Sequence, residues 1–295
     1  FIIADRKEFF VLETVGRHWA AERAGKFRAI SNTYTIGKTI TRASDGLAAF
    51  ARAQGWWRGR GDFDFAAAVT NPENPGLPGA LSRCTRATSL LAQHAGAIDS
   101  LRMMANLRDH GADAPASAAF DPQDLAGPTI CMHAGDGKRM GQSVGSLVSD
   151  LRDTGVVHWV TGTSAPCTSI FKPVFMDCAL PDHGAIPGDR FDATTLWWRH
   201  ERLHRGLLRG DYAGLMSAIG PERAALEARF RDRVEAVIAG SGAPATRARQ
   251  RVVVQCWREA EAAEASWLRL LPRFATAKIR PAWSRFDALA GIAAA

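Results

Sequence analysis

The sequence has no run of about 18 consecutive apolar residues, which argues against a helix long enough to cross a bilayer. Its 5 cysteines are odd in number and widely spaced, and no CxxC pair occurs among them. These features argue against a disulfide framework and favour a reducing compartment. The start of the chain also lacks the basic-then-apolar pattern of a secretory signal. We therefore expect a cytoplasmic protein that does not use a membrane.

The chain has 295 residues, 46% hydrophobic content and 23% charged residues, which is ordinary for a globular protein. Its net charge of +7 comes mostly from arginine. These arginines alternate with Glu and Asp along predicted C-terminal helices, which is typical of a solvated helix face rather than of a nucleic-acid-binding stripe. We predict no nucleic-acid partner. The sequence leaves open whether the chain forms a homo-oligomer. The richness in Ala and Arg suggests a bacterial source by composition.

Short β-prone runs open the chain and predict an antiparallel meander; they cover residues 1–4, 9–14, 18–22 and 27–36. Because residues 1–4 already have the composition of a strand, we expect further sequence upstream. A helical excursion is predicted at residues 44–110, in which Ser44 has the chemistry of a helix N-cap.

Two further β-prone runs, residues 143–151 and 156–161, flank an Arg-Asp-Thr-Gly turn signal and predict a hairpin. From residue 192 the apolar positions recur at helical spacing, and Pro221 is expected to open a new helix after Gly220. The order of strands and helices predicts an α+β protein. We place the boundary between a hydrolase-like core, 1–185, and a mainly helical segment, 186–295.

An HExxH pattern, the motif of zinc metalloproteases, occurs on a predicted helix. His200 and His204 share one helix face and could bind a zinc ion, with Glu201 as general base. Arg199, Arg202 and neighbouring basic residues would oppose a divalent cation. A helix packed on the core is therefore the preferred interpretation, and no metal or other cofactor is predicted.

A second set of metal-ligand types comprises Cys131, His133, Cys167 and Cys178. Their spacings match no structural zinc pattern, so we expect buried thiols. A nucleophile pair of Cys131 and His133 is a further interpretation, although residues two apart on a strand share a face without having to touch. Asn32 stands where a β-run ends, where its amide could stabilise an oxyanion or form part of a turn.

The central stretch resembles the secernin / dipeptidase A family of cysteine-type N-terminal-nucleophile hydrolases. The similarity is carried by Ile-Cys-Met-His at 130–133, Ser-Val-Gly-Ser-Leu-Val at 143–148, His-Trp-Val-Thr-Gly-Thr at 158–163 and Cys-Thr-Ser-Ile-Phe-Lys-Pro at 167–173. Residues 11–21, 29–32, 54–57, 62–65 and 196–204 are also similar to family segments, in the same order. The last of these segments contains the HExxH pattern. Its similarity to a family segment favours the interpretation that the HExxH match arose by chance.

The resemblance implies an αββα sandwich, represented here incompletely, and metal-free hydrolysis of dipeptides or related small amides. In this family a cysteine at the mature N-terminus is the nucleophile and its own α-amino group relays the proton. The resemblance gives Asn32 the role of an oxyanion-binding or substrate-binding amide. His133, Thr161, Gly162 and Thr163 are the substrate-binding candidates.

The sequence departs from the family at the nucleophile. Residue 1 is Phe, and none of the 5 cysteines has the family's nucleophile context. We therefore expect the nucleophile to lie outside this chain and the chain alone to be inactive. Two alternatives stay open: an HExxH zinc hydrolase that uses His200, Glu201 and His204, and a non-enzymatic, secernin-like regulatory protein.

Overall fold

The computed structural model describes residues 1–73, 79–111, 129–134, 141–275 and 281–292. The chain divides into two compact units, Phe1–Ile98 and Asp99–Ala295, which we call the N-terminal unit and the C-terminal unit. The sequence-based boundary at residue 185 lies inside the second unit, in which strand residues and late helices share one core. The sequence predicts irregular connections at residues 71–79 and 111–127, of which residues 74–78 and 112–127 lie outside the described residues.

The N-terminal unit contains an antiparallel sheet in the order β1 to β4. Its strands are β1 (Ile2–Ala4), β2 (Phe9–Val15), β3 (His18–Arg23) and β4 (Arg42–Ala43). Gly16 has a φ of 57° in the tight turn between β2 and β3, where Val15 pairs with His18. Glycine adopts this left-handed conformation without the steric penalty of a Cβ. The predicted meander is confirmed for the first three strands.

The predicted strand at residues 27–36 is wrong, because the described backbone there forms only an isolated bridge between Ser31 and Thr33. The Glu13 carboxylate of β2 accepts hydrogen bonds from the backbone amides of Thr35 and Ile36, at 2.9–3.0 Å. The Glu13 side chain thus provides the hydrogen-bond acceptors that a paired strand would otherwise provide for these amides.

The helices of the N-terminal unit are α1 (Leu47–Ala53), α2 (Phe65–Val69) and α3 (Ala80–Gln93). Ser44 is not the N-cap of α1, since Gly46 with a φ of 77° precedes the helix. The Ser44 hydroxyl instead contacts His18 Nδ1 at 2.9 Å and accepts from the Trp19 amide. The small apolar core of this unit comprises Val11, Ala20, Ile36, Leu47 and Phe65.

The C-terminal unit combines a second antiparallel sheet with helices. Its elements are α4 (Ser100–Leu107), β5 (Leu147–Arg152), β6 (Gly155–Val160), β7 (Lys172–Val174), α5 (Leu196–Arg209), α6 (Tyr212–Glu235), α7 (Gly242–Leu268), a 3-10 turn (Leu271–Phe274) and α8 (Pro281–Ala290). The predicted hairpin is confirmed, because Arg152 pairs with Gly155 across a two-residue turn. Strand β7, which pairs with β6, was not predicted.

Helix α6 continues through Pro221, where the sequence indicated a break. Proline removes one helical hydrogen bond and normally kinks or ends a helix. Here the apolar positions on both sides of it belong to the same core, including Leu215, Ile219, Leu226 and Phe230. Burial of this continuous face outweighs the lost hydrogen bond.

The core of the C-terminal unit contains large side chains from the sheet and the late helices, including Trp159, Phe171, Leu203, Phe230 and Trp267. The fold is a mixture of α and β, with small antiparallel sheets and a helical C-terminal region. This agrees with the coarse α+β prediction. Among the described helices, none has both the length and the apolar character needed to cross a bilayer.

Candidate functional site

Three segments of the C-terminal unit bring four chemically active side chains into one buried cluster. His110 follows α4, Cys131 and His133 precede β5, and Cys167 lies between β6 and β7. All four side chains are buried, and their potential ligand atoms lie within 4.8 Å of one another. We call these residues the Cys/His cluster.

His133 is the centre of the Cys/His cluster. Its Nε2 atom lies 3.1 Å from His110 Nε2, 3.6 Å from Cys131 Sγ and 3.5 Å from Cys167 Sγ. The sequence indicated three of these residues as ligand types, but it grouped them with Cys178 instead of His110. In the structure Cys178 is half-buried and contacts Asp177 and the Thr246 carbonyl.

The other nitrogen of His133 begins a chain of hydrogen bonds. His133 Nδ1 lies 2.9 Å from His204 Nε2, and His204 Nδ1 lies 3.1 Å from Glu201 Oε2. Both α5 residues, Glu201 and His204, are fully buried. We call His133, His204 and Glu201 the histidine relay.

Glu201 ends the relay as a strongly supported carboxylate. It accepts from Arg205 Nε at 2.8 Å, from Gln142 Nε2 at 3.2 Å and from the Ser164 hydroxyl. Burial opposes ionisation of this group, but His204, Arg205 and Ser164 together lower its pKa below the ordinary value. Glu201 therefore carries a negative charge at neutral pH and can only accept hydrogen bonds.

This charge state sets the direction of the relay. Because the carboxylate accepts, His204 donates through Nδ1, and in this tautomer its Nε2 accepts from His133 Nδ1. His133 consequently presents the lone pair of Nε2 to Cys131, Cys167 and His110. Burial also lowers the pKa of His133, which favours the neutral imidazole required for this arrangement.

The two thiols of the cluster differ in acidity. Burial raises the pKa of Cys131 well above the ordinary value. Burial acts in the same direction on Cys167, but the hydrogen bond from Cys131 and the neighbouring His133 and His110 lower its pKa well below the ordinary value. The cluster thus favours a thiolate at Cys167 and a thiol at Cys131. A thiolate is the form that binds metals and attacks electrophiles.

The HExxH residues are buried on α5, but their imidazoles have separate partners. His200 Nε2 lies 3.1 Å from the hydroxyls of Thr168 and Ser169, and its Nδ1 lies 3.2 Å from Glu264 Oε1. Both His204 nitrogens are used by the relay. The geometry therefore leaves no pair of free nitrogens on His200 and His204 for a shared zinc ion.

The predicted substrate-binding residues of the β6–β7 loop divide into buried and exposed positions. Thr161 donates to the Thr163 carbonyl at 3.0 Å, and the Thr163 hydroxyl lies 2.8 Å from Ser169 Oγ. Gly162 between them is exposed, with a φ of 62°. Further along the loop, Ala165 is fully buried with a φ of 56°, a left-handed conformation that costs a non-glycine residue about 1–3 kcal/mol.

Lys172 of β7 fixes the same loop and was not identified from the sequence. Its Nζ donates to the carbonyls of Thr161 at 2.7 Å and Ile170 at 2.9 Å, and lies 5.1 Å from the ring centre of Trp257. Complete burial lowers the pKa of this lysine. In the sequence, Lys172 is a single lysine in an apolar segment. Nothing in that pattern distinguishes a buried lysine that binds carbonyl groups from a solvated one.

Asn32, the predicted oxyanion residue, belongs to the N-terminal unit. It is exposed, and its Oδ1 accepts from Arg83 at 3.0 Å. It does not follow a strand, because β3 ends at Arg23. The structure places His133, Thr161 and Thr163 together in the C-terminal unit, and it describes Asn32 separately from them.

Two further participants, His110 and Ser164, were also not identified from the sequence. His110 is the last residue of the predicted helical excursion at 44–110, and Ser164 belongs to a Ser/Thr-rich loop, so neither has a motif of its own. The role of His204 was partly visible, because HExxH places it near Glu201 on one helix face. A comparison of the chain with models of known protein families finds no match.

Proposed function

We propose that this chain is part of a cysteine-type N-terminal-nucleophile hydrolase that cleaves dipeptides or related small amides. The nucleophile would be a cysteine outside this chain, since none of its 5 cysteines has the required sequence context. The proposal includes the αββα sandwich that the family resemblance implies. It rests on the resemblance of several ordered segments to the secernin / dipeptidase A family.

The observation that carries the proposal is the convergence of those segments. The segments are 130–133, 158–163, 167–173 and 196–204, and more than 20 residues separate the middle two from each of the others. Their polar side chains nevertheless meet in one buried network, in which the hydrogen-bonded contacts include His133 with His204 and Ser169 with His200. Buried polar networks of this density are unfavourable unless fully satisfied, and they are typical of functional regions.

The reaction requires a thiolate, a proton relay and a stabilised oxyanion. The thiolate of the N-terminal cysteine attacks the amide carbonyl, the α-amino group transfers its proton to the leaving amine, and water hydrolyses the acyl-enzyme. An α-amino group suits this step because its pKa of about 8 lies near neutrality. Asn32 would donate its amide to the developing oxyanion.

The environment of Asn32 supports this role. Arg83 donates to Asn32 Oδ1 at 3.0 Å, so the guanidinium occupies the acceptor end of the amide. The NH2 group is the donor end of the same amide and would serve as the donor to the oxyanion. The side chain is exposed, so a substrate can reach it.

The test uses the full-length product of the gene and a panel of dipeptides, with amino-acid release measured by mass spectrometry. We expect hydrolysis that iodoacetamide abolishes and that disappears when the N-terminal cysteine is replaced by alanine. Hydrolysis that persists in this variant, or the absence of any small-amide cleavage, would contradict the proposal. Activity lost in His200→Ala together with stoichiometric zinc at α5 would favour the HExxH alternative.

A second experiment tests Asn32. In the full-length enzyme Asn32→Ala should lower kcat by about 10²–10³-fold, the usual effect of removing one oxyanion donor. Its thermal unfolding should stay unchanged, because the side chain is exposed. Lys26→Ala, an exposed substitution in the same unit, is the matched control. Equal kcat values in the two variants would remove Asn32 from the mechanism.

A further inference from the structure

We infer that His110, Cys131, His133 and Cys167 form a structural binding site for a divalent zinc-type cation. Two thiols and two imidazoles are the ligand set of closed, tetrahedral zinc sites. The inference is independent of the proposed hydrolase activity, because it depends only on the geometry and chemistry of these residues.

The separations of the ligand atoms fit a tetrahedral site. Zinc–nitrogen bonds of about 2.0–2.1 Å and zinc–sulfur bonds of about 2.3 Å give nitrogen–nitrogen and nitrogen–sulfur separations of about 3.3 Å and 3.6 Å. The structure has 3.1 Å between the Nε2 atoms of His110 and His133. It has 3.6 Å and 3.5 Å from His133 Nε2 to the sulfurs of Cys131 and Cys167. The three separations measured from His133 Nε2 therefore match those of a tetrahedral site, and all four ligand atoms lie within 4.8 Å of one another.

The histidine relay provides the outer support that metal-binding histidines normally have. A ligating imidazole usually donates its second N–H to a carboxylate or another acceptor, which fixes its tautomer and orientation. Here His133 donates from Nδ1 to His204, which donates to Glu201. This arrangement directs the Nε2 lone pair of His133 towards the two sulfurs.

The chemistry and burial of the four side chains agree with the site. Thiolates are the form in which cysteines bind zinc, so a bound dication would displace the thiol protons of Cys131 and Cys167. All four side chains are buried, and this burial would protect the bonds between the ion and its ligands.

The site is closed, which indicates a structural role. All four tetrahedral positions are filled by side chains, so none remains for a catalytic water. The ion would join the end of α4 to the segment before β5 and to the β6–β7 loop. These are the segments that also hold His204 and Lys172 in place, so the ion would stabilise the C-terminal unit around the buried network.

The primary experiment measures metal by inductively coupled plasma mass spectrometry in the full chain purified without chelators or added metal. We expect about one zinc per chain in the wild-type protein. Cys131→Ser, Cys167→Ser and His110→Ala should each lose the metal. Cys178→Ser, which removes a thiol outside the cluster, is the matched control and should retain it.

A spectroscopic arm keeps the test decisive if some variants fold poorly. Cobalt exchanged into the wild-type chain should give thiolate-to-cobalt charge-transfer absorption and the intense visible bands of a tetrahedral site. The bands should persist in Cys178→Ser and also, at lower affinity, in Cys131→Asp, which retains an anionic ligand of similar size. Circular dichroism confirms that each variant is folded.

Several results would overturn the inference. These are a wild-type chain that takes up neither zinc nor cobalt, metal that remains in folded Cys131→Ser and Cys167→Ser, and cobalt spectra without thiolate charge transfer. A Cys131–Cys167 disulfide that forms in place of metal binding would also overturn it. Metal lost only in His200→Ala would move the site to α5 and contradict the assignment.

Discussion

Both units of the chain contain a buried carboxylate that accepts several hydrogen bonds, and Glu13 and Glu201 differ in the partners that they bind. Glu13 in the N-terminal unit accepts from the backbone amides of Thr35 and Ile36 and from the Thr35 hydroxyl. Glu201 in the C-terminal unit accepts from Arg205, His204, Ser164 and Gln142. Glu13 therefore orders a stretch of backbone, whereas Glu201 holds ionisable side chains.

The partners of a buried carboxylate distinguish one that only stabilises the fold from one that can take part in the chemistry of a site. A carboxylate that binds backbone amides fixes a loop, and its removal leaves neutral donors without partners. A carboxylate that binds an arginine and a histidine fixes the charge, tautomer and orientation of groups that lead to His133. In the second arrangement, hydrogen bonds from α5 fix the orientation of His133 in the Cys/His cluster.

The largest effect is expected from Glu201→Ala. Its removal leaves the buried His204 without its carboxylate and Arg205 with Asp287 alone, which costs about 3–5 kcal/mol of folding free energy. Urea unfolding should show this loss, and hydrogen exchange should localise it to the C-terminal unit. Glu235→Ala breaks the exposed contact with Arg152 and serves as the control, with a loss of about 0.2–1 kcal/mol. Equal losses in the two variants would refute the comparison.

Acid should weaken the C-terminal unit through the same carboxylate. Because the pKa of Glu201 is lower in the folded than in the unfolded chain, its stabilisation is present above the unfolded value of about 4.3 and is lost as pH falls towards the folded value. Glu264 acts in the same direction, since His200 and Lys172 outweigh its burial and lower its pKa. Below pH 4.3 the urea concentration at the midpoint of unfolding should decrease with falling pH less steeply in Glu201→Gln than in the wild-type chain. Parallel pH dependences of the two chains would contradict this assignment.

Glu13→Ala is expected to have a smaller effect and a different location. The substitution leaves the amides of Thr35 and Ile36 without their acceptor, which costs about 1–3 kcal/mol. Hydrogen exchange should rise at these amides and stay unchanged in α5. Faster exchange in α5 would show that the two carboxylates do not act in separate units.

The sequence predicted the parts of the fold that have a strong local pattern. The hairpin of β5 and β6 follows from two β-prone runs around a turn signal. Strand β7 has only three residues, and Pro173 at its centre masks the pattern. The path of residues 27–36 could not be predicted, because a carboxylate more than 20 residues away in sequence binds their backbone.

The same limit applies to the candidate site. Cys131, His133 and Cys167 were recognised as ligand types, but their spacing matched no zinc pattern, because tertiary packing brings them together. His110 joins from the end of another element, which no local motif could indicate. The HExxH pattern indicated Glu201 and His204 as a general base and a zinc ligand. In the fold these two residues instead orient His133.

His204→Ala tests the positioning role of the relay. Loss of the partner of His133 Nδ1 should weaken zinc binding by about 10–100-fold, the usual effect of removing an outer hydrogen-bond partner of a ligand. Competition with a chromophoric chelator measures the affinity. His204→Gln keeps a polar partner and should recover part of it. Wild-type affinity in His204→Ala would show that the relay does not orient His133.

The smallest effect is expected in the β6–β7 loop. Gly162→Ala places a Cβ on a residue with a φ of 62°, which costs about 1 kcal/mol without removing a contact, since the nearest atom is 4.0 Å away on Trp257. Thermal unfolding measures the loss. Gly188→Ala is the control, because its added Cβ meets no atom within 4 Å and its φ lies outside the left-handed range. Equal stability of the two variants would contradict the assigned loop conformation.

X-ray absorption at the zinc edge of the full chain is the most direct test of the Cys/His cluster. The proposed site predicts two sulfur neighbours at about 2.3 Å and two nitrogen neighbours at about 2.0 Å, with the multiple-scattering signature of imidazole. A shell of nitrogen and oxygen alone, or a chain that binds no zinc, would contradict it.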